Sequence, residues 1–250
     1  MAEDTFEKYT DDFFMEYYFR FPAAKSQYYG SISKMLSMID GQPKKILDMG
    51  CGGGVLLEQL KCFSGAKLYG IDVSEEMIKL AASKFAGIDF RTGLVYDTGF
   101  NDGFFDLIVS RAVFQHLDHP ERFLSEVERL LIDHGRFILL LPIRSWMGTL
   151  PRKIAASILK KPKEVQGNEY RVDDITRLFS STSMAIEKAD YFGGPFYMLS
   201  GYGTGIKFFI QNFKVWEILT AIDNLLLRIP LIPPFGLNLI IAAQKKSKFE

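Results

Sequence analysis

Residues 44–60 read KKILDMGCGGGVLLEQL, an apolar run that ends in an acid, then a cluster of glycines, then a helical pattern. Ile46 and Leu47 read as a buried strand, and Gly50, Gly52, Gly53 and Gly54 as a turn that only bare backbone fits. Val55, Leu56, Leu57 and Leu60 then start a helix whose first N–H groups have no partner within it and face whatever the loop holds. A strand, a glycine turn and a helix together make a candidate nucleotide site.

The same alternation continues along the chain. AKLYGID (66–72) reads as a second strand, SEEMIKLAASKF (74–85) as a helix capped by Ser74, and GIDFRTG (87–93) as a third strand. FFDLIVS (104–110) is a fourth strand. PERFLSEVERLLIDHG (120–135) predicts an amphipathic helix with Pro120 in its first turn, Phe123, Leu124, Val127, Leu130 and Leu131 on one face, and Gly135 at its end. RFILLLP (136–142) is a fifth strand, apolar on both faces, and 184–191 and 237–243 supply a sixth and a seventh. Such alternation implies an α/β fold, a doubly wound, seven-stranded and mostly parallel sheet with ligands at the carboxyl ends of its strands.

Around a core at 44–142, three segments stand apart from the repeat within what reads as one domain. Residues 1–43 are dense in aromatics (Phe6, Tyr9, Phe13, Phe14, Tyr17, Tyr18, Phe19, Phe21, Tyr28 and Tyr29), which suits helices packed over the sheet or a lid over a ligand. Residues 143–172 insert a basic cluster of Arg144, Arg152, Lys153, Lys160, Lys161 and Lys163, either a solvated face or a contact for an anionic substrate or lipid. Within the C-terminal half, 173–250, residues 206–229 read as a helical insert anchored by Phe208, Phe209, Phe213, Trp216, Leu219 and Ile222.

Composition narrows the functions. The 250 residues carry a formal net charge of +0, which withholds the overall basic field that duplex nucleic acid favours. The first residues, MAEDTFEKYTDD, are acidic where an export leader would be basic and then apolar, so a cytoplasmic location is expected. Cys51 and Cys62 are too few for a disulfide framework, and no His and carboxylate ladder demands a metal. The apolar stretch 225–243 nearly reaches spanning length, but Arg228, Pro230, Pro233 and Pro234 argue against a span, leaving peripheral membrane contact open.

The loop itself discriminates between nucleotides. A dinucleotide fingerprint needs a third glycine where Val55 stands, and Asp48 would repel a pyrophosphate resting on the loop. A ligand without phosphate is preferred. S-adenosylmethionine meets that condition, because its ammonium and sulfonium tolerate a nearby acid while its carboxylate can use the N–H groups of the helix start. Asp72, ending the second strand, suits both ribose hydroxyls in a bidentate pair, and Val73 and Met77 can pack on an adenine.

ILDMGCGGG, GIDVSEEMI and FDLIVSRAVFQHL…PERFLSEVERLLIDHGRFILLLP together resemble the class I S-adenosylmethionine-dependent methyltransferases, in particular the methyltransferase type 11 group. The resemblance implies that Asp48, Gly50, Gly52 and Gly54 frame the methionine portion, that Asp72 takes the ribose, and that Ser110 to Leu117 border the transferring methyl; Cys51, in the same loop, is counted with the cofactor-binding residues. Where relatives often carry an acid against the adenine amino group, this chain has Leu94. Backbone groups of Leu94 and Val95, or Asp97 swinging in, are the two ways of holding the base.

Methyl transfer is an in-line displacement on an activated sulfonium, so it needs positioning and exclusion of water more than a nucleophile or metal. A hydroxyl acceptor also needs a base, and His116, after the fourth strand, faces the ligand side; it can equally be a structural residue opening the next segment. His119 lies further on, and His134 falls at the opposite end of the sheet. The expected function is methylation of a small, apolar or lipid-linked acceptor. An NAD(P)-dependent oxidoreductase and a catalytically silent cofactor-binding or membrane-surface module are the competing readings.

Overall fold

The computed structural model describes residues 22–144, 167–194, 212–227 and 237–247. In chain order these form α1 (Pro22–Leu36), β1 (Lys45–Met49), α2 (Val55–Leu60), β2 (Lys67–Asp72), α3 (Glu75–Lys84), β3 (Ile88–Thr92), β4 (Phe105–Arg111), a 3-10 turn (Phe114–His116), α4 (Pro120–Leu130), β5 (Leu131–Pro142), α5 (Val172–Ser180), β6 (Met184–Phe192), α6 (Phe213–Leu226) and β7 (Asn238–Lys245).

One seven-stranded sheet runs in the order β3-β2-β1-β4-β5-β7-β6. The pairs from β3 through β5 are parallel, and β7 lies antiparallel to both β5 and β6. The expected doubly wound, mostly parallel sheet is therefore present, with one antiparallel strand near its edge. Strand order reverses between β1 and β4, which opens a crevice at their carboxyl ends, where ligands of such sheets sit.

Alternate strand residues feed two cores. On one face Leu47, Ile108, Phe137 and Leu139 meet Phe123 and Val127 of α4. On the other, Ile46, Leu107, Ile138 and Ile240 meet Ile32 and Met35 of α1 and Leu57 of α2. Burial on both faces explains why these strands read as continuous apolar runs. Ser74 caps α3 as its sequence predicts, accepting from the Met77 N–H at 3.3 Å.

The helix expected over 120–135 stops at Leu130, and β5 begins at Leu131 instead of Arg136. The reason lies in another loop. The N–H groups of Gly103 and Phe104 donate to the carbonyls of Arg129 and Leu130 at 2.9 and 2.8 Å, so the helix end is satisfied from outside and the chain is free to turn into the sheet. Gly135 is no helix terminus but follows His134, whose φ of 61° marks an irregularity where the β4–β5 register shifts. His134 sits at the amino end of β5, away from the crevice.

Of the aromatic N-terminal segment, Tyr28 is buried on α1 and Tyr29 partly so, while Phe6 to Phe21 lie outside the described residues. The same holds for Arg152, Lys153, Lys160, Lys161 and Lys163 of the insert and for Phe208 and Phe209. On α6, Trp216 is the buried anchor and Ile222 faces solvent. No helix among the described residues is long and apolar enough to cross a membrane.

Candidate active site at the β1–β4 crevice

Three glycines of the loop after β1 adopt left-handed backbone: Gly50 at φ 81°, Gly52 at 49° and Gly54 at 77°. They serve different ends. A Cβ on Gly50 would lie 2.2 Å from Val113 Cγ2, because the loops after β1 and β4 touch there. A Cβ on Gly54 would lie 2.8 Å from the Phe90 ring, so that glycine lets α2 close on β3 and α3. At Gly52 the nearest atom is Met77 Cε at 3.7 Å, so local packing leaves room and only the positive φ restricts it.

Asp72 ends β2 with both carboxylate oxygens engaged: Oδ2 accepts the Gly52 N–H at 2.8 Å and Oδ1 the Ser74 N–H at 3.0 Å. The acid thus braces the glycine loop, a role its position alone did not suggest. Each oxygen keeps a lone pair for a ligand hydroxyl. Burial raises its pKa, against the pull of the Ser74, Gly52 and Val73 N–H groups.

Asp48 lies beside Val109 in the β1–β4 register and is 2% exposed. Its Oδ1 is buried without a hydrogen-bond partner. Burial, and then the Asp72 charge, push its pKa up to about 8, while Arg111 pulls the other way. A buried carboxyl with a vacant acceptor atom is costly unless a donor arrives. A cationic N–H donor suits it; a phosphate does not.

The remaining sequence-selected residues divide into lining and support. Val73 and Leu94 are exposed, 37% and 56%, and Val95 packs partly against the sheet. Met77 is buried beneath the glycine loop. Cys51 is buried under the same loop, its thiol pKa raised by burial, and it points into the second core. Ser110 is fully buried, its hydroxyl donating to the Met49 carbonyl at 2.8 Å, so it ties β4 to the start of the loop. Asp97 is exposed, in a tight turn where its N–H meets the Leu94 carbonyl at 3.4 Å.

That turn is anchored from below by groups the sequence did not single out. Glu126 on α4 accepts from the Thr98 N–H at 2.9 Å and the Thr98 hydroxyl at 2.7 Å, and Arg129 holds Glu126 while donating to the Phe100 carbonyl at 2.8 Å. Only the fold brings α4 beneath the loop after β3.

After β4 the chain turns sharply. Ala112 takes φ 57°, unusual for a side chain-bearing residue, and Gln115 Nε2 donates back to its carbonyl at 2.7 Å. His116 is half-buried in the same turn, with its Nε2 3.0 Å from Gln115 Nε2 and its pKa lowered by burial. Residues returning from the insert seat on this turn, the Asn168 N–H donating to the Gln115 carbonyl at 2.6 Å and its side chain to Leu117 at 2.9 Å. The crevice therefore gathers Asp48, the glycine loop, Asp72 and the turn carrying His116 at the carboxyl ends of β1, β2 and β4.

Comparison with known proteins bears on the fold. Residues 47–139 match the family model of the methyltransferase domain. It is 37% identical over 141 residues to a ubiquinone biosynthesis O-methyltransferase from Chromobacterium violaceum, a match covering 54% of each chain. The matches span about a third to a half of the curated relatives' own length. A S-adenosylmethionine-dependent methyltransferase of Thermotoga maritima superposes with a TM-score of 0.66 at 18% identity, covering 98% of this chain and 100% of that one. Geranyl diphosphate C-methyltransferase of Streptomyces coelicolor A3(2), solved with Mg2+, geranyl diphosphate and S-adenosylhomocysteine, gives 0.60 at 14% identity over 87% and 79%. The fold is the class I methyltransferase fold, as the sequence motifs led one to expect.

Proposed function

We propose that this domain is a S-adenosylmethionine-dependent methyltransferase acting on a small, apolar or lipid-linked acceptor. The observation that carries the cofactor is the unpartnered Oδ1 of buried Asp48, set beside a loop of left-handed glycines braced by Asp72. An α-ammonium would satisfy Asp48, ribose hydroxyls would share the Asp72 oxygens, and the loop accepts close approach of a ligand without phosphate. When bound, the cofactor supplies an electrophilic methyl group. The chain supplies orientation, exclusion of water and, for a hydroxyl acceptor, a base at His116. Supporting an apolar or lipid-linked acceptor, α6 exposes Val215, Ile218, Ile222 and Leu225 along its length. Thermal shift with S-adenosylhomocysteine against NADH tests the cofactor class: stabilisation by NADH alone would move the protein to the oxidoreductases. Methyl-group incorporation then separates an enzyme from a silent binding module.

Asp72→Ala should weaken S-adenosylhomocysteine about 10- to 100-fold, since charged hydrogen bonds contribute about 1.5 to 3 kcal/mol. Loss of the Gly52 brace adds to the loss of ribose contacts, so Asp72→Asn, which keeps one acceptor oxygen, should fall between wild type and alanine. Calorimetric titration checks both, and equal affinity in all three proteins would remove Asp72 from the site.

Binding should also release a proton. Below about pH 8 the unliganded protein holds a proton on Asp48, and an incoming ammonium favours the ionised form. Affinity for S-adenosylhomocysteine should therefore rise with pH, by up to about tenfold per unit well below that pKa. Calorimetry near pH 6.5 in buffers of different ionisation enthalpy should report release approaching one proton, and Asp48→Asn should bind weakly with no such dependence. A buffer-independent wild-type enthalpy would mean Asp48 does not meet the ligand cation.

A further inference from the structure

The crevice has a second half. Cofactor-side groups come from β1, β2 and the loops after them, whereas a cavity of about 170 Å³ lies across the ends of β4, β5, β6 and β7 beneath α1, lined by Arg111, Gln115, Leu140, Phe192 and Asn238. The two halves meet where Val113 contacts the glycine loop. We propose that this cavity receives the acceptor by a carboxylate held on Arg111, with an O–H or N–H of the same molecule donating to Gln115 Oε1. The inference rests on the methyltransferase reading above and narrows its acceptor to a small molecule that joins an apolar body to a carboxylate.

Arg111 is built to present a cation. Its Nε donates to Ser31 Oγ at 2.9 Å, and its guanidinium lies 4.0 Å over the Tyr28 ring. Ser31 is itself fixed, donating to the Tyr28 carbonyl at 2.7 Å and buried on α1. These bonds use Nε alone, so the two terminal nitrogens keep their N–H groups without a hydrogen bond to any described residue. A planar fork held this way matches a carboxylate in bidentate fashion, which a freely moving lysine would not.

Gln115 adds the second requirement. Its Nε2 is taken by the Ala112 carbonyl and faces His116, while its Oε1 is buried and has no partner. A buried acceptor of this kind asks for a donor that solvent does not supply. Phe192, Leu140 and Pro142 make the rest of the wall apolar. A cavity of about 150 Å³ is enough to hold a benzene ring, so the space fits one ring or a short branched chain bearing the acid. Cation, vacant acceptor and apolar wall together exclude a purely hydrocarbon ligand.

The test uses benzoate and its neutral counterpart benzamide as probes, measured by ligand-observed NMR on the full chain with and without S-adenosylhomocysteine. Benzoate should bind wild type at least about tenfold more tightly than benzamide, and Arg111→Met should erase that preference on the unliganded protein. At least one hydroxybenzoate isomer should bind more tightly than benzoate, and Gln115→Met should remove that gain. No benzoate preference in wild type would overturn the acidic acceptor. Arg111→Met weakening S-adenosylhomocysteine tenfold with benzoate unaffected would assign the arginine to the cofactor's own carboxylate and equally overturn it. Failure of S-adenosylhomocysteine to bind wild type strikes the methyltransferase reading instead, and benzoate selectivity on the unliganded protein remains measurable separately.

Discussion

Gly50→Val should abolish detectable S-adenosylhomocysteine binding and lower the melting temperature sharply. Two causes add. The backbone at this position sits at φ 81°, in a region where a β-branched residue is strained, and the new Cβ would meet Val113 Cγ2 at 2.2 Å. Because Gly50 donates to the Ile71 carbonyl at 2.8 Å, the loop cannot swing away without breaking its tie to β2. Either β1's loop or the turn after β4 must then move, and both border the crevice. Gly50→Ala combined with Val113→Gly separates packing from function. That pair removes the clash and keeps a backbone penalty of about 1 to 2 kcal/mol, so it should fold, as followed by circular dichroism. If it folds and binds S-adenosylhomocysteine as wild type does, Gly50 is needed only to clear Val113, and no ligand approaches its backbone.

The glycine loop was legible in the sequence because its signal is local: strand, bare turn and helix start follow one another without interruption. So was the succession of strands and helices along the chain, since α3 and α4 have their own apolar periods and Ser74 announces the cap of α3. What escaped depends on contacts across the sheet. The end of α4 was misread because Leu131 and Ile132 continue an apolar pattern, while the donors that terminate the helix, at Gly103 and Phe104, come from a different loop. The resemblance puts Ser110 beside the transferring methyl, yet this residue lies within β4 and its hydroxyl is spent on the Met49 carbonyl inside the sheet. Arg111 looks in sequence like any charged residue at a strand end. Only α1, distant along the chain, supplies the Ser31 and Tyr28 that fix its guanidinium over a cavity.

His116→Ala should lower the single-turnover rate of methyl transfer to a hydroxyl acceptor by about 10² to 10⁴ and leave S-adenosylhomocysteine affinity within twofold, because a general base acts only in the chemical step. His116 lies in the turn after β4, at the carboxyl ends of the strands where Asp48 and Asp72 also sit. Burial lowers its pKa below the ordinary 6.5, so the ring is neutral and able to accept a proton at pH 7. With Gln115 Nε2 donating to it, the ring nitrogen Nε2 is the acceptor and the proton rests on Nδ1. Serving as base therefore requires the acceptor's O–H to replace that amide donor at Nε2, which couples the histidine to the cavity Gln115 lines. The sign of the pH dependence follows: the rate should rise as pH climbs through a pKa on the acid side of 6.5 and then level off. Saturating cofactor keeps Asp48 ionised against the bound ammonium and takes its titration out of the profile. A mutant that loses rate and melting temperature together while keeping the acid limb would show that His116 only packs the turn, and the proton would then leave by another route.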